Sequence, residues 1–153
     1  MKTRTMLLTL AALFATAVAC FAADVNVGTW KVNAAKSKNL PSDDKNTTIA
    51  IAAAGDSMKV TIDGIDAKNK PFHDEWTGKF DAKDYPVTGD PDTDTRAYKP
   101  INDHTLELIE KKGGKIDTSR VVYSADGKTR TVTGTMTNAD GTKTKATIVY
   151  DKR

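Results

Sequence analysis

The sequence predicts an all-β protein: an antiparallel up-and-down β-barrel of about eight to ten strands. Three observations predict it. Apolar and polar residues alternate with a period of two through most of the chain after residue 24, as they do in strands with one covered and one solvated face. Turn pairs rich in Gly, Asp and Asn punctuate that pattern at fairly even spacing, at Gly55-Asp56, Asn102-Asp103, Gly113-Gly114, Asp126-Gly127 and Asp140-Gly141. No stretch beyond the first two dozen residues holds a helical period. Sequential strands tend to be neighbours, and closing the sheet removes its exposed edges. A β-sandwich is the competing architecture.

In chain order, residues 1–22 read as a secretory leader. Lys2 and Arg4 precede an apolar run from Met6 to Ala19, and small residues follow. The run is too short for a membrane span. Cleavage after Ala22 leaves one domain, residues 23–153; cleavage before Cys20 would instead leave a cysteine open to lipidation. Val25 to Val32 reads as the first strand and Asn33 to Asn46 as a polar loop, with a turn of helix at Ala34-Ala35-Lys36. In the next hairpin, Ile49 and Ile51 face Met58, Val60 and Ile62 across the Gly55-Asp56 turn. Phe72, Asp74, Trp76, Gly78 and Phe80 share one parity, with His73, Glu75, Thr77 and Lys79 on the other. Asp81 to Asp94 is dense in Asp, Pro and Gly, which predicts a long connection around Tyr85-Pro86-Val87. Strands beginning at Arg96, around Leu106 and Leu108, and over Ile116–Tyr123 follow. Arg130 to Thr137 places Val132, Gly134 and Met136 on one parity against threonines, and Lys143 to Tyr150 is the last strand.

Charge excludes one class of partner. The chain holds 23 basic and 20 acidic residues. Loss of Lys2 and Arg4 with the leader leaves 21 against 20, a net of +1. That is no electrostatic footprint for nucleic acid. The sole cysteine, Cys20, goes with a leader cut after Ala22, so the mature domain would rest on its core, which about 130 residues suffice to build. The mature chain has no second apolar run of membrane length.

Gly28-Thr29-Trp30-Lys31-Val32 resembles the Gly-x-Trp opening strand of the lipocalin and fatty-acid-binding-protein superfamily. The tail Thr147-Ile148-Val149-Tyr150-Asp151-Lys152 is similar to the last strand of fatty-acid-binding proteins, which commonly reads Thr-Arg-Val-Tyr-Glu-Lys. From Gly28 through Tyr85-Pro86-Val87-Thr88-Gly89 to the tail, the chain also resembles a group of uncharacterised secreted bacterial proteins, a likeness that implies no activity. The superfamily resemblance implies a lipocalin-like barrel that binds a small hydrophobic or amphipathic ligand. Two departures qualify it. In fatty-acid-binding proteins the tail Arg and Tyr hold the ligand's carboxylate; here Tyr150 matches but Ile148 stands at the Arg position. Asn33 to Asn46 is also too short and too polar for the helical lid those proteins carry.

Candidate ligand-binding residues are Trp76, Arg96, Tyr98, Arg120 and Tyr150. Trp76 sits mid-strand among apolar neighbours, and Trp30 reads as a plug for one barrel end. Asp74, Arg96 and Arg120 are expected inside, as a carboxylate and two guanidiniums forming a polar floor. Buried charges need partners, and Arg grips a carboxylate through two parallel hydrogen bonds. Asp90, Asp92 and Asp94 alternate as in a calcium loop, but Thr95 and Ile101 stand where an EF-hand needs Gly and Glu. His73 and His104 are expected at the surface, and two histidines make no zinc site. No cysteine nucleophile, Gly-x-Ser-x-Gly elbow or phosphate-binding Gly loop is present. The expectation is therefore an exported, non-enzymatic barrel without a cofactor, binding a small, partly apolar molecule inside. The alternative is a barrel filled by its own side chains, acting as a structural or protein-interaction module of the cell envelope.

Overall fold

The computed structural model describes residues 24–41, 45–137 and 142–153. The leader, Cys20 and the Asp140-Gly141 turn lie outside these. Ten strands follow one another: β1 (Gly28–Val32), β2 (Lys45–Ala54), β3 (Ser57–Ile65), β4 (Pro71–Gly78), β5 (Tyr85–Thr88), β6 (Thr95–Asn102), β7 (Thr105–Lys112), β8 (Lys115–Tyr123), β9 (Thr129–Thr137) and β10 (Lys143–Lys152). Each pairs antiparallel with the next, and β1 pairs with β10 through Trp30↔Lys152, Lys31↔Asp151 and Val32↔Tyr150. The result is a closed up-and-down barrel.

The period-two pattern decides which side chains enter. Ile49 and Ile51 lie opposite Ile62 and Val60, which lie opposite Asp74 and Trp76. All six are buried. The β2–β3 turn is the expected Gly55-Asp56 pair, with Gly55 at φ +65°. At β3, Gly64 lies opposite Phe72, whose ring occupies the space a Cβ would need. Any larger residue there would displace that ring.

Trp30 is fully buried. Its indole N–H donates to the Asn26 carbonyl at 3.0 Å. Its ring meets Tyr123 edge-on at 5.2 Å, with the Lys152 ammonium 5.0 Å from its centroid. It fills the core beside the β1–β10 junction.

Three elements differ from expectation. β1 starts at Gly28, because residues 24–27 form a turn closed by Val27 N–H to the Asp24 carbonyl at 2.9 Å. After β1 the turn expected at residues 34–36 is present, with Lys36 donating to the Asn33 carbonyl, but the loop then rejoins β10 through the bridge of Lys38 to Thr147. The expected connection over Asp81–Asp94 contains the short strand β5. Four residues are too few to show a period, and Pro86 brings no ladder N–H.

Candidate functional site

Two arginines lie wholly inside the barrel, Arg96 at 1% and Arg130 at 2% exposure. Their surroundings are opposite in kind.

Arg96 sits on β6 between Tyr85 of β5 and Glu110 of β7. Its Nη1 and Nη2 donate to the two carboxylate oxygens of Asp74 at 3.4 and 3.1 Å, its Nη2 also to Asp90 at 3.3 Å, and its Nε to Glu110 at 2.9 Å. Trp76 adds a crossing bond, its indole N–H donating to the Arg96 carbonyl at 2.8 Å. One cation thus serves three carboxylates. Burial pushes the Asp74 carboxyl above its ordinary 3.8; Arg96 pulls it back without prevailing, and Asp90 and Glu110 add to the push. Burial works against the charge on Arg96, but Glu110, Tyr98 and Asp74 outweigh it and hold the guanidinium protonated.

Arg130 sits on β9 between Tyr123 of β8 and Tyr150 of β10. Its Nε donates to the Tyr123 hydroxyl at 3.3 Å, and its guanidinium carbon lies 5.3 Å from the Tyr150 ring centroid. Among the described residues no carboxylate pairs with it, and its buried Nη1 has no acceptor. Burial opposes its charge; Tyr123, Tyr98 and Tyr150 act the other way, and the net direction is upward. Buried guanidinium nitrogens without acceptors are rare because each costs its desolvation outright.

The tyrosines carry the mark of this setting. Burial pushes Tyr98 and Tyr150 up to about 12, and Tyr123 upward too, although Arg130 pulls on all three. A raised phenol pKa contributes stability that is complete below the unfolded value near 10 and is lost as pH rises through the folded one. The barrel is therefore expected to lose stability between pH 10 and about 12. Absorbance at the phenolate band and circular dichroism should change together. Phenolate from any of these three rings, well before the fold is lost, would contradict their burial.

The structure places the sequence candidates as follows. Trp76, Arg96, Tyr98 and Tyr150 are interior and buried. Trp76 and Tyr98 touch edge-to-face at 5.0 Å, and the Tyr150 hydroxyl donates to the Asn46 carbonyl at 3.4 Å. Arg120 is not interior. It lies exposed on the outer wall, opposite Glu107 and Thr133, on the face of Ile116 and Val122, which are 63% and 37% exposed. Those two apolar residues misdirect the parity of β8, whose inward residues are Val121 and Tyr123. A one-residue shift exchanges every side chain between faces. The second interior guanidinium is Arg130, whose position alternates with Val132 and Gly134 in sequence.

His73 and His104 are exposed. His73 bonds the Asp63 carboxylate at 2.7 Å, which raises its imidazole pKa. Asp90 bonds Arg96, and no group of three metal-ligating side chains occurs among the described residues. Two concavities lie on the outer surface. One, about 490 Å³, is lined by Ile101, Glu107, Thr118, Arg120, Thr133 and Lys145 among others; the other, about 310 Å³, lies at the β7–β8 hairpin.

A scan against protein-family models and a search of curated proteins each return no match. The architecture itself, a closed all-antiparallel ring of ten strands, is consistent with a calycin-like fold.

Proposed function

We propose that this protein is an exported, non-enzymatic binding barrel that holds a small, partly apolar molecule by its anionic or strongly polar end at Arg130. The observation that carries this reading is the bare Nη1 of Arg130 inside the barrel. A sequence selected for stability alone would place an apolar residue or a carboxylate partner there. A ligand oxygen would complete the guanidinium's hydrogen bonds, with the hydroxyls of Tyr98 and Tyr123 as neighbouring donors. The apolar part would lie against Trp76, Ile62 and Leu108, which belong to one buried cluster. The departure at Ile148 fits this arrangement: the cation stands on β9 beside Tyr150 instead of two residues before it.

Arg130→Met tests the reading. The variant should change stability by no more than about 1 kcal/mol, or raise it, since an unpaired buried cation is replaced by an apolar side chain of similar length. It should also lose binding of a long-chain carboxylate carrying an environment-sensitive fluorophore. Native mass spectrometry of the protein purified from the organism that makes it should show a co-purifying small molecule. A destabilisation near that of a broken ion pair, with probe binding intact, would make Arg130 structural and end the proposal.

The outer concavity beside exposed Ile101 supports a second reading, a filled barrel that docks a protein of the cell envelope through the wall from β6 to β10. A protein that is always empty and binds no apolar probe favours that alternative.

A further inference from the structure

The barrel wall is uneven. β4 pairs with β5 through Glu75↔Thr88 and Trp76↔Val87 alone, and β5 pairs with β6 through Tyr85↔Arg96 and Pro86↔Thr95, with one further backbone bond from the Val87 N–H to the Asp94 carbonyl at 2.9 Å just before β6. By contrast, β3 and β4 run paired from Met58↔Gly78 to Ile65↔Pro71. β5 is four residues long, and its Pro86 donates nothing. Its flanks hold two left-handed backbone positions, Ala82 at φ +65° and Gly89 at φ +89°. Gly89 rests against the His73 carbonyl so closely that a Cβ would collide with it.

Behind β5 the ring is joined by other means. The Asp74–Arg96 pair runs from β4 to β6, Arg96 continues to Glu110 on β7, and the Trp76 indole bonds the Arg96 carbonyl. None of these bonds uses β5. Displacing β5 would leave its neighbours tied to each other. The strand covers an aromatic group: Trp76 contacts Tyr85, Tyr98 and Phe80 at 5.7, 5.0 and 6.0 Å, and Phe80 lies 4.7 Å from Tyr98. Tyr98 is in turn one of the groups acting on Arg130. One buried contact holds the strap's far end down, Asp90 to the Arg96 Nη2.

We propose that β5 is a strap that swings out locally while the barrel stays folded, latched by Asp90 on Arg96, and that it is the door to the interior. The role of door rests on the binding reading above; the opening itself does not. Local openings of this kind occur where few backbone bonds and little buried surface hold a segment. The ligand class implied is one that passes an aromatic gate, with an apolar body and an anionic end.

Hydrogen exchange tests the opening directly. The amides of Val87 and Thr88 should exchange by a local route, much faster than those of Val60 and Leu108. Asp90→Ala should speed them by about tenfold or more, the scale of one charge-assisted hydrogen bond, and speed Val60 and Leu108 by no more than that. Exchange of β5 only at the global unfolding rate, or no change in Asp90→Ala, would overturn the strap. The door is tested by Glu75→Cys with Thr88→Cys, paired and exposed on the outer wall, in a Cys20→Ser background. The oxidised form should take up the fluorescent carboxylate at least tenfold more slowly than the reduced form, with the fold intact in both. Equal uptake rates would remove the door. Absence of probe binding in both forms would remove the binding reading and the door with it, and leave the exchange result to decide the strap alone.

Discussion

Arg96→Met is expected to lower the free energy of unfolding by about 3–5 kcal/mol at neutral pH, the cost of breaking a buried ion pair from one side. Its side chain and that of Asp74 are at 1% and 0% exposure, so water does not screen their attraction. The large effect comes from what remains. Asp74, Asp90 and Glu110 would face one another with no cation between them. The folded pKa of Asp74, already raised by burial, would lose the downward pull of Arg96 and stand further above the unfolded one. Such a group contributes stability that is present below the unfolded pKa, near the ordinary 3.8 for Asp74, and lost as pH rises through the folded value. The deficit should therefore shrink as pH falls toward 4. Denaturant titrations of variant and parent at several pH values read this. Asp74→Asn should cost much less than Arg96→Met, because burial already favours a neutral group at that position. A pH-independent deficit would show that packing, not charge, is what Arg96 contributes.

Trp30→Ala is expected to cost about 3–5 kcal/mol, the range for removing a large aromatic side chain from a core. The substitution would also strand the Asn26 carbonyl, strip the edge contact from Tyr123, and uncover the end where β1 meets β10. Thermal or denaturant unfolding measures the loss. Trp30→Phe separates the two contributions. It keeps most of the apolar fill and loses the indole donor, so its cost should be near that of a single hydrogen bond plus a small void, about 1–3 kcal/mol. Equal costs for Phe and Ala would mean that the N–H bond to Asn26, not the ring, holds the end in place.

The ring of strands was legible because its determinants are local. Alternation at Ile49, Ile51, Val60 and Ile62 and turns such as Gly55-Asp56 write the hairpins directly into the sequence. β5 was not legible for the converse reason: its two pairs on each side come from tertiary placement, and its residues are those of a turn. The buried Asp74–Arg96 pair could be read because each charge shares parity with an aromatic, Trp76 and Tyr98. The same rule points Arg120 inward, but its parity mates Ile116 and Val122 are exposed β-branched residues on the outer wall. Arg130 stood in the correct register throughout, flanked by threonines and alternating with Val132. What no single strand reveals is that three tyrosines from β6, β8 and β10 converge on it while, among the described residues, no carboxylate does.

The pairing of β1 with β10, sealed by the amide of Arg153 on the carbonyl of Thr29 at 2.8 Å, sets the timing of assembly. The strand that shuts the ring, β10, is the last of the ten to leave the ribosome. Until then the sheet has two raw margins and the indole of Trp30 lacks its Lys152 neighbour, so a ribosome-bound fragment ending near residue 142 should remain protease-sensitive and sticky. A barrel that closes only through β10 stays threadable until that strand is made.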